Sequence, residues 1–328
     1  MEPKKQEYKI QGNMGLFDDE QTLEKLNDMG NPLDRLSGVI DFEMFRDIFG
    51  KALHKDKMTK AGAKPYDPVL MFKILVLQRM YHLSDAQTEY QIRDRLSFRN
   101  FLGLASGDRI PDQNTVWLFR EELVRKNVFE QLLQKFYAFL EANNLIMKEG
   151  VIVDGSFVEV PRQRNSREEN KKIKEDNGGE KHYGYKNHTK ADAKSKLIKK
   201  CVTTAAKEHD SKPVRELVDE SDTGQDFLGD NAYIGKGVKR VMRKFKLKDS
   251  VIKRNVKGKK ISKRQDTINR KNSKTRVRVE HIFGFCEQSL SGMFSRAVGF
   301  ARNAAFNTHT CMVYNMCRYE QILRLGMN

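Results

Sequence analysis

Much that would announce a function is missing from this chain of 328 residues. Its four cysteines, Cys201, Cys286, Cys311 and Cys317, include no close CxxC pair. The Cys311/Cys317 spacing is not that of a zinc site, so reduced, mostly buried thiols are expected. No apolar run approaches the ~18 residues of a membrane span. The longest, Val69–Leu77, is interrupted by Lys73. The amino-terminal stretch is charged and has no apolar core, so no secretion signal is expected. A cytoplasmic chain with access to the chromosome is the expectation. A GxxxxGK[ST] loop is absent, which argues against a nucleotide cofactor. His209 and His309 stand alone, without partners at metal-ligand spacing. Trp117 is the single tryptophan and reads as a core residue.

What is present in excess is positive charge. The formal net charge is +17, which favours an anionic partner, nucleic acid by default. Residues 161–280 hold 35 Lys+Arg against 17 Asp+Glu, and the rest of the chain is close to neutral. Within that region, residues 253–278 carry 12 Lys+Arg against the single acid Asp266. A charge run is commonly a solvated face. Its position between two candidate catalytic acids favours a DNA-backbone contact.

Three stretches supply those acids. In Gly150-Val-Ile-Val-Asp-Gly-Ser-Phe157 a β-branched run enters Asp154 and then turns, the pattern of a buried strand ending in a carboxylate. Such a carboxylate is costly unless paired, hydrogen-bonded or metal-bound; the bland alternative is a turn aspartate. Asp226-Phe-Leu-Gly-Asp-Asn-Ala-Tyr-Ile234 repeats the pattern with Asp230. Arg276-Val-Arg-Val-Glu-His-Ile-Phe-Gly284 places Glu280 in an apolar-periodic, helical segment. Three carboxylates on two strand ends and one helix suit hard divalent cations, which take oxygen ligands.

The ordered set resembles the DDE triad of bacterial insertion-sequence transposases, most like the insertion-sequence-five group. The matching residues are Val153–Ser156, Gly229–Tyr233, and Arg276–Glu280 with Phe283-Gly284. His182–His188 and the tail Asn307–Arg318 are also similar to that group. The resemblance covers most of the chain from Pro32 onwards. It implies an α/β (α+β) mixed sheet of RNase H-like fold behind an all-α region. It also implies catalysis and metal binding by Asp154, Asp230 and Glu280, with two Mg²⁺ or Mn²⁺ ions. The implied reaction is hydrolysis at the ends of a mobile element, then joining of the freed 3′-hydroxyls to target DNA. The implied partners are double-stranded DNA, as terminal inverted repeats and target, and further copies of the chain in a homodimer or larger homo-oligomer. No membrane partner is expected.

Along the chain, residues 1–31 read as a flexible arm with a helix near Gln21–Met29. Residues 32–145 read as a helical domain for DNA binding or dimerisation, and 146–328 as the catalytic domain. Asp67-Pro68 opens a helix to Met80, and Ser84 with Gln87 forms a capping-box pattern. Asn114–Arg125 is either the recognition helix of a helix-turn-helix, with Arg120 toward DNA, or part of a plain bundle. Val128–Ala142 continues the helices. Residues 162–181 read as a loop. Strands are expected at Tyr183–Thr189, Leu197–Thr204, Phe227–Gly229 and Asp249–Ile252. Helices are expected at Pro213–Val218, Lys236–Phe245 and Met312–Leu325.

Further DNA contacts are assigned to Lys186, His188, Lys253, Arg254, Lys274, Arg276 and Arg278. Arg276 is one helical turn before Glu280 and faces the same way. Arg278 points elsewhere. Lys186 and His188 share a strand face and are expected to approach the same cleft. Glu287, two turns after Glu280, is the rival third carboxylate. An RNase H-like nuclease without strand transfer, a non-catalytic DNA-binding regulator, and a nuclease of another fold stay open as alternatives.

Overall fold

The computed structural model describes residues 17–54, 64–105, 107–162, 165–177, 180–255 and 261–327. The amino-terminal residues 1–16 and part of the basic run, 256–260, lie outside these ranges.

The first part is helical: α1 Asp18–Asp28, α2 Pro32–Val39, α3 Arg46–Leu53, α4 Pro68–Tyr81, α5 Asp85–Asp94, α6 Leu96–Leu102, α7 Gln113–Arg125 and α8 Val128–Ala142. The caps read from sequence are present. Asp67 Oδ1 accepts from the Val69 and Leu70 amides at 2.8 and 3.1 Å, with Pro68 at the first helical position. Ser84 and Gln87 exchange both capping-box bonds. Such caps satisfy amides that have no partner inside the helix. Helix α4 is buried around most of its circumference, with Phe72 and Ile74 fully covered. It is the axis of this layer.

The second part is built on a six-stranded mixed sheet: β1 Gly150–Glu159, β2 Lys174–Asn177, β3 Glu180–Asp192, β4 Ile198–Ala205, β5 Asp226–Leu228 and β6 Lys248–Asp249. The order is β2-β3-β1-β5-β6, with β4 paired to β3. The β1–β3 and β3–β4 pairs are antiparallel, and β5 and β6 join parallel to β1. This is the α/β mixed sheet expected from the sequence. Helices α9 Arg167–Ile173, α10 Val214–Leu217, α11 Lys236–Lys244, α12 Lys263–Arg276, α13 Arg278–Leu290 and α14 Phe300–Arg324 complete the fold.

Two apolar cores cover the two sheet faces. Val151 and Val153 pack with Val214, Phe227, Tyr233 and Val238. Ile152, between them, faces the other way and joins a core continuous with α2, α4, α8, α13 and α14. The alternation follows from the two-residue period of a strand.

Several local readings are corrected. Residues 162–181 include helix α9, capped by Ser166, and strand β2, which pairs with the start of β3. Buried Ile173, packed with Val160 and Tyr185, anchors this segment. One apolar residue gives no period, so sequence pattern alone suggested a loop. Helix α14 begins at Phe300 rather than Met312. Its first half looks polar, yet Asn303 donates to the Ala297 and Gly299 carbonyls and Asn307 donates to Thr203 Oγ1. Trp117 is 43% exposed on α7 and is not a core residue. The strand expected at Asp249–Ile252 is registered as the pair Lys248–Asp249. Bonds from the Ser250 and Ile252 amides to the Phe227 and Gly229 carbonyls extend its line.

Candidate active site

Strand register brings the two aspartates level. β1 and β5 run parallel with Ile152 opposite Leu228. Asp154 and Asp230 each lie two residues further on, where the ladder has ended and β5 turns into the 3₁₀ turn Asn231–Tyr233. β1 itself runs on to Glu159, so Asp154 does not end its strand as expected but lies midway along it, beside the carboxyl end of β5, the end at which open α/β sheets place their ligands. Asp230 Oδ1 caps that turn by accepting from the Ala232 amide at 2.8 Å.

Two glycines allow this approach. A Cβ on Gly155 would lie 2.9 Å from His188 Nδ1, across the β1–β3 pair. A Cβ on Gly229 would lie 2.9 Å from the Tyr233 ring. The glycines beside the two aspartates are therefore packing requirements, not merely turn signals.

Glu280 comes from the first turn of α13. Val279 and Ile282 are buried and fix that helix on the core, so Glu280, 56% exposed, faces outward at the mouth. Arg276 closes the constellation. Its Nη1 donates to Asp154 Oδ2 at 2.6 Å and its Nη2 donates to Glu280 Oε1 at 2.8 Å. One guanidinium thus ties the strand acid to the helix acid, a fork geometry that lysine lacks.

Asp154 is mostly buried, and burial pushes its carboxyl pKa up to about 6. The charge of Asp230 pushes the same way, while the Gly155 amide and Arg276 oppose it. The Tyr233 hydroxyl is buried without a hydrogen-bond partner, and burial together with Asp154, Asp210 and Asp230 raises its pKa. The site therefore has more negative charge than its surroundings satisfy. Its three carboxylates are hard oxygen donors, and in chemistry they fit a divalent cation such as Mg²⁺ or Mn²⁺. Among the described residues, no three His, Cys, Asp or Glu side chains are already gathered in a metal-holding cluster. Arg276 is the cation that spans two of the three acids.

The other residues named from sequence divide clearly. Lys274, on α12 two residues before Arg276, is exposed, and so is Arg254 on the basic segment before that helix. Lys253 is half-exposed and lies 3.6 Å from Asp249. Arg278 turns away and donates to the Ala193 carbonyl at 2.6 Å. Lys186 and His188 do not reach the carboxylates. Asp154 pairs with Thr189 and Gly155 with His188, so alternation puts Lys186 and His188 on the opposite sheet face. There Lys186 pairs with Asp210 at 3.1 Å, and His188 Nε2 shares a hydrogen bond with Thr204 Oγ1. Arg120 is not a free DNA-facing group: it grips Asp85 with two 2.7 Å bonds between α7 and α5. Glu287 is exposed on α13, two turns beyond Glu280.

Two asparagines escaped the sequence reading. Asn272 donates to the Ser250 carbonyl, and Asn269 exchanges hydrogen bonds with both backbone groups of Lys253. They seat the otherwise polar α12 against the end of β6, which is how a helix with almost no apolar face holds Arg276 in place. Their three-residue spacing inside a basic run was the available signal.

Residues 21–122 match a family described as a transposase domain (DUF772). Residues 146–316 match the family described as the transposase DDE domain. One similar solved structure is a chain of the piggyBac transposase synaptic complex with hairpin DNA, imaged by cryo-electron microscopy. It is 12% identical, with a TM-score of 0.44, and the likeness covers 92% of this chain and 77% of that one.

Proposed function

The chain belongs to the transposase DDE domain family and is a DNA transposase, and we propose that it cuts and joins DNA through Asp154, Asp230 and Glu280. The observation that carries this reading is the Arg276 bridge. It ties Asp154, midway along β1, to Glu280 beside Asp230, just past the carboxyl end of β5. Arg276, Lys274 and Arg254 would hold the phosphodiester backbone along the α12 side of the site. Lys253, 3.6 Å from Asp249, and Arg278, turned away to the Ala193 carbonyl, are weaker contacts.

Transposases of this family are generally dependent on divalent metal. Asp154, Asp230 and Glu280 would hold two Mg²⁺ or Mn²⁺ ions, which when bound supply Lewis-acid activation of water or of a 3′-hydroxyl. The chain's own contribution is to position and to balance charge. The strand register sets the two aspartates side by side, and α13 brings Glu280 over them. Arg276 is placed to neutralise charge that develops on the attacked phosphate. The covered Asp154 carboxylate lies in a site of reduced solvent, where such charge pairing is stronger than in water.

In this reading residues 32–145 bind the element ends or a second copy, and residues 146–328 carry catalysis. The substrates are terminal inverted repeats and target DNA, in the bacterial cytoplasm at the nucleoid. No described helix is long and apolar enough to cross a membrane. Because binding rests on phosphate contacts, affinity should fall steeply with salt. Neutralising ~6 phosphates gives a log–log slope near −5.

The test is to incubate the protein with the DNA that flanks its own gene and with Mg²⁺, then map cut ends and joined products. Cleavage at the element ends followed by 3′-end joining supports the reading. Cleavage without joining leaves a nuclease. Turnover that survives EDTA removes the metal.

A further inference from the structure

On the side of α13 away from Glu280 there is a cavity of about 540 Å³ between α2, α4, α13 and α14. Phe285 and Ser289 line it from α13. They sit about 140° and 180° round the helix from Glu280. The helix that carries the third acid therefore has this cavity on its back, about 10–12 Å away across one helix diameter.

The charges lining this cavity are unequal. Arg35 and Arg324 both pair with Glu320, at 3.1 and 2.7 Å. That leaves Lys196 and Arg318 on the wall. Arg318 spends one nitrogen on the Ser195 carbonyl and another on Gln321, neither of them an acid. Lys196 sits at the β3–β4 turn in a left-handed conformation, φ 63°. Burial, and then the nearby charges of Arg318 and Arg278, lower its ammonium pKa. Cations crowded without an acid between them favour an anion. The remaining wall is aromatic. Phe285 is 36% exposed and meets the Tyr314 ring edge-on at 5.6 Å, and Tyr81 lies opposite on α4. Aromatic faces beside cations are the chemistry that holds unpaired bases and their phosphates.

We propose that this cavity binds one unpaired nucleotide, with its phosphate at Lys196 and Arg318 and its base against Phe285. Its source is either an unpaired end of the DNA being processed or a free nucleotide, and the two are separable. The DNA source rests on the transposase reading above, whereas the cavity itself does not.

Binding is read by fluorescence anisotropy in EDTA, so that no cutting intervenes. One probe is a blunt duplex; the other is the same duplex with a short single-stranded 3′ extension. The extended duplex should bind about tenfold tighter, the scale of one base–aromatic stack. Phe285→Ala and Lys196→Asn should each remove that preference and leave blunt-duplex affinity within about twofold. Asparagine tolerates the left-handed backbone at position 196, and both side chains are partly exposed, so the fold is retained. Competition with AMP identifies the source: displacement of the extension by AMP shows that a free nucleotide also enters, and resistance to AMP assigns the cavity to the strand. Equal affinity of the wild type for both duplexes overturns the proposal. So does a preference that survives both substitutions, or displacement by inorganic phosphate as effective as that by AMP. Loss of all duplex binding counts against the DNA reading instead, and calorimetry with AMP then decides the cavity alone.

Discussion

On one face of the sheet, Lys190 and Lys199 bury their ammonium groups against Asp219 and Asp222, at 2.7, 2.7 and 3.2 Å. On the other face, Arg276 bridges Asp154 and Glu280, with Asp230 beside them. Lys190 lies opposite Val153 and Thr189 lies opposite Asp154, so a single residue step along β1 and β3 separates the two arrangements. The first is closed: two cations meet two acids, Lys190 is 1% exposed and Asp222 is fully covered. The second is left acidic, and burial already holds Asp154 toward its protonated form. A balanced buried cluster holds the fold, whereas an unbalanced one, beside the end of β5, is the proposed place for a ligand. The same strand supplies both because alternation delivers its residues to separate environments.

The comparison can be broken at its closed side first. Asp222→Ala removes the acid shared by Lys190 and Lys199, leaving buried Lys199 without an acid and Lys190 with only the more exposed Asp219. Breaking a buried pair in this way costs about 3–5 kcal/mol, measurable by urea denaturation. A loss under about 1 kcal/mol, the worth of an exposed pair, would mean the cluster is solvated and the contrast between the faces is lost.

The open side is tested by Glu280→Gln, which keeps size and hydrogen bonding but removes the negative charge. Cleavage of element-end DNA is expected to fall at least about a hundredfold, equivalent to about 2.7 kcal/mol. DNA affinity should stay within a few-fold. Glu287→Gln should do far less. The reverse ranking in a side-by-side cleavage assay would move the third acid two turns along α13.

His188 sharpens the contrast by pH. It is fully buried beside Gly155, and burial lowers its pKa to about 4. Its unfolded value is near 6.5. The unfolded chain therefore binds the proton first, and the stability contributed by neutral His188 is complete above pH 6.5. It is lost as pH falls toward 4, by about 3 kcal/mol. Chemical denaturation across that window should show the slope in the wild type and a flatter one in His188→Gln. Equal slopes would show that the ring is not desolvated.

The smallest effect is expected at Arg120. Removing it as Arg120→Gln should destabilise the α5–α7 contact by about 1 kcal/mol, through loss of the Asp85 fork. DNA affinity should not change. Lys274→Glu, at an exposed position near the site, should weaken DNA binding without changing stability. If Arg120→Gln weakened binding as much, α7 would be a DNA-reading helix after all.

Local chemistry made the site's ingredients legible. A β-branched run into Asp154, its echo at Asp230, and Arg276 one turn before Glu280 are short-range patterns, and each is present in the structure. The helix caps at Asp67 and Ser84 were legible for the same reason, since each is a bond between residues two or three apart. Segments held by distant partners were not. The α9–β2 segment depends on Ile173 reaching Val160 and Tyr185, and the start of α14 depends on buried asparagines that pair with β4 and neighbouring backbone.

The sequence by itself determined the candidate acids, their order, the mixed strand-and-helix pattern and the concentration of positive charge. Those properties reside in composition and in spacings of a few residues. Only the tertiary structure decided which side of the sheet each residue faces and which cations are already engaged. Lys186, His188 and Arg120 were eligible DNA contacts as letters in a chain. Strand pairing turned the first two away from Asp154, and the packing of α7 on α5 gave Arg120 to Asp85. A side chain's charge is written locally. The partner that neutralises it can be hundreds of residues away, as Arg35 and Glu320 show at a separation of 285, and only folding brings such groups within reach.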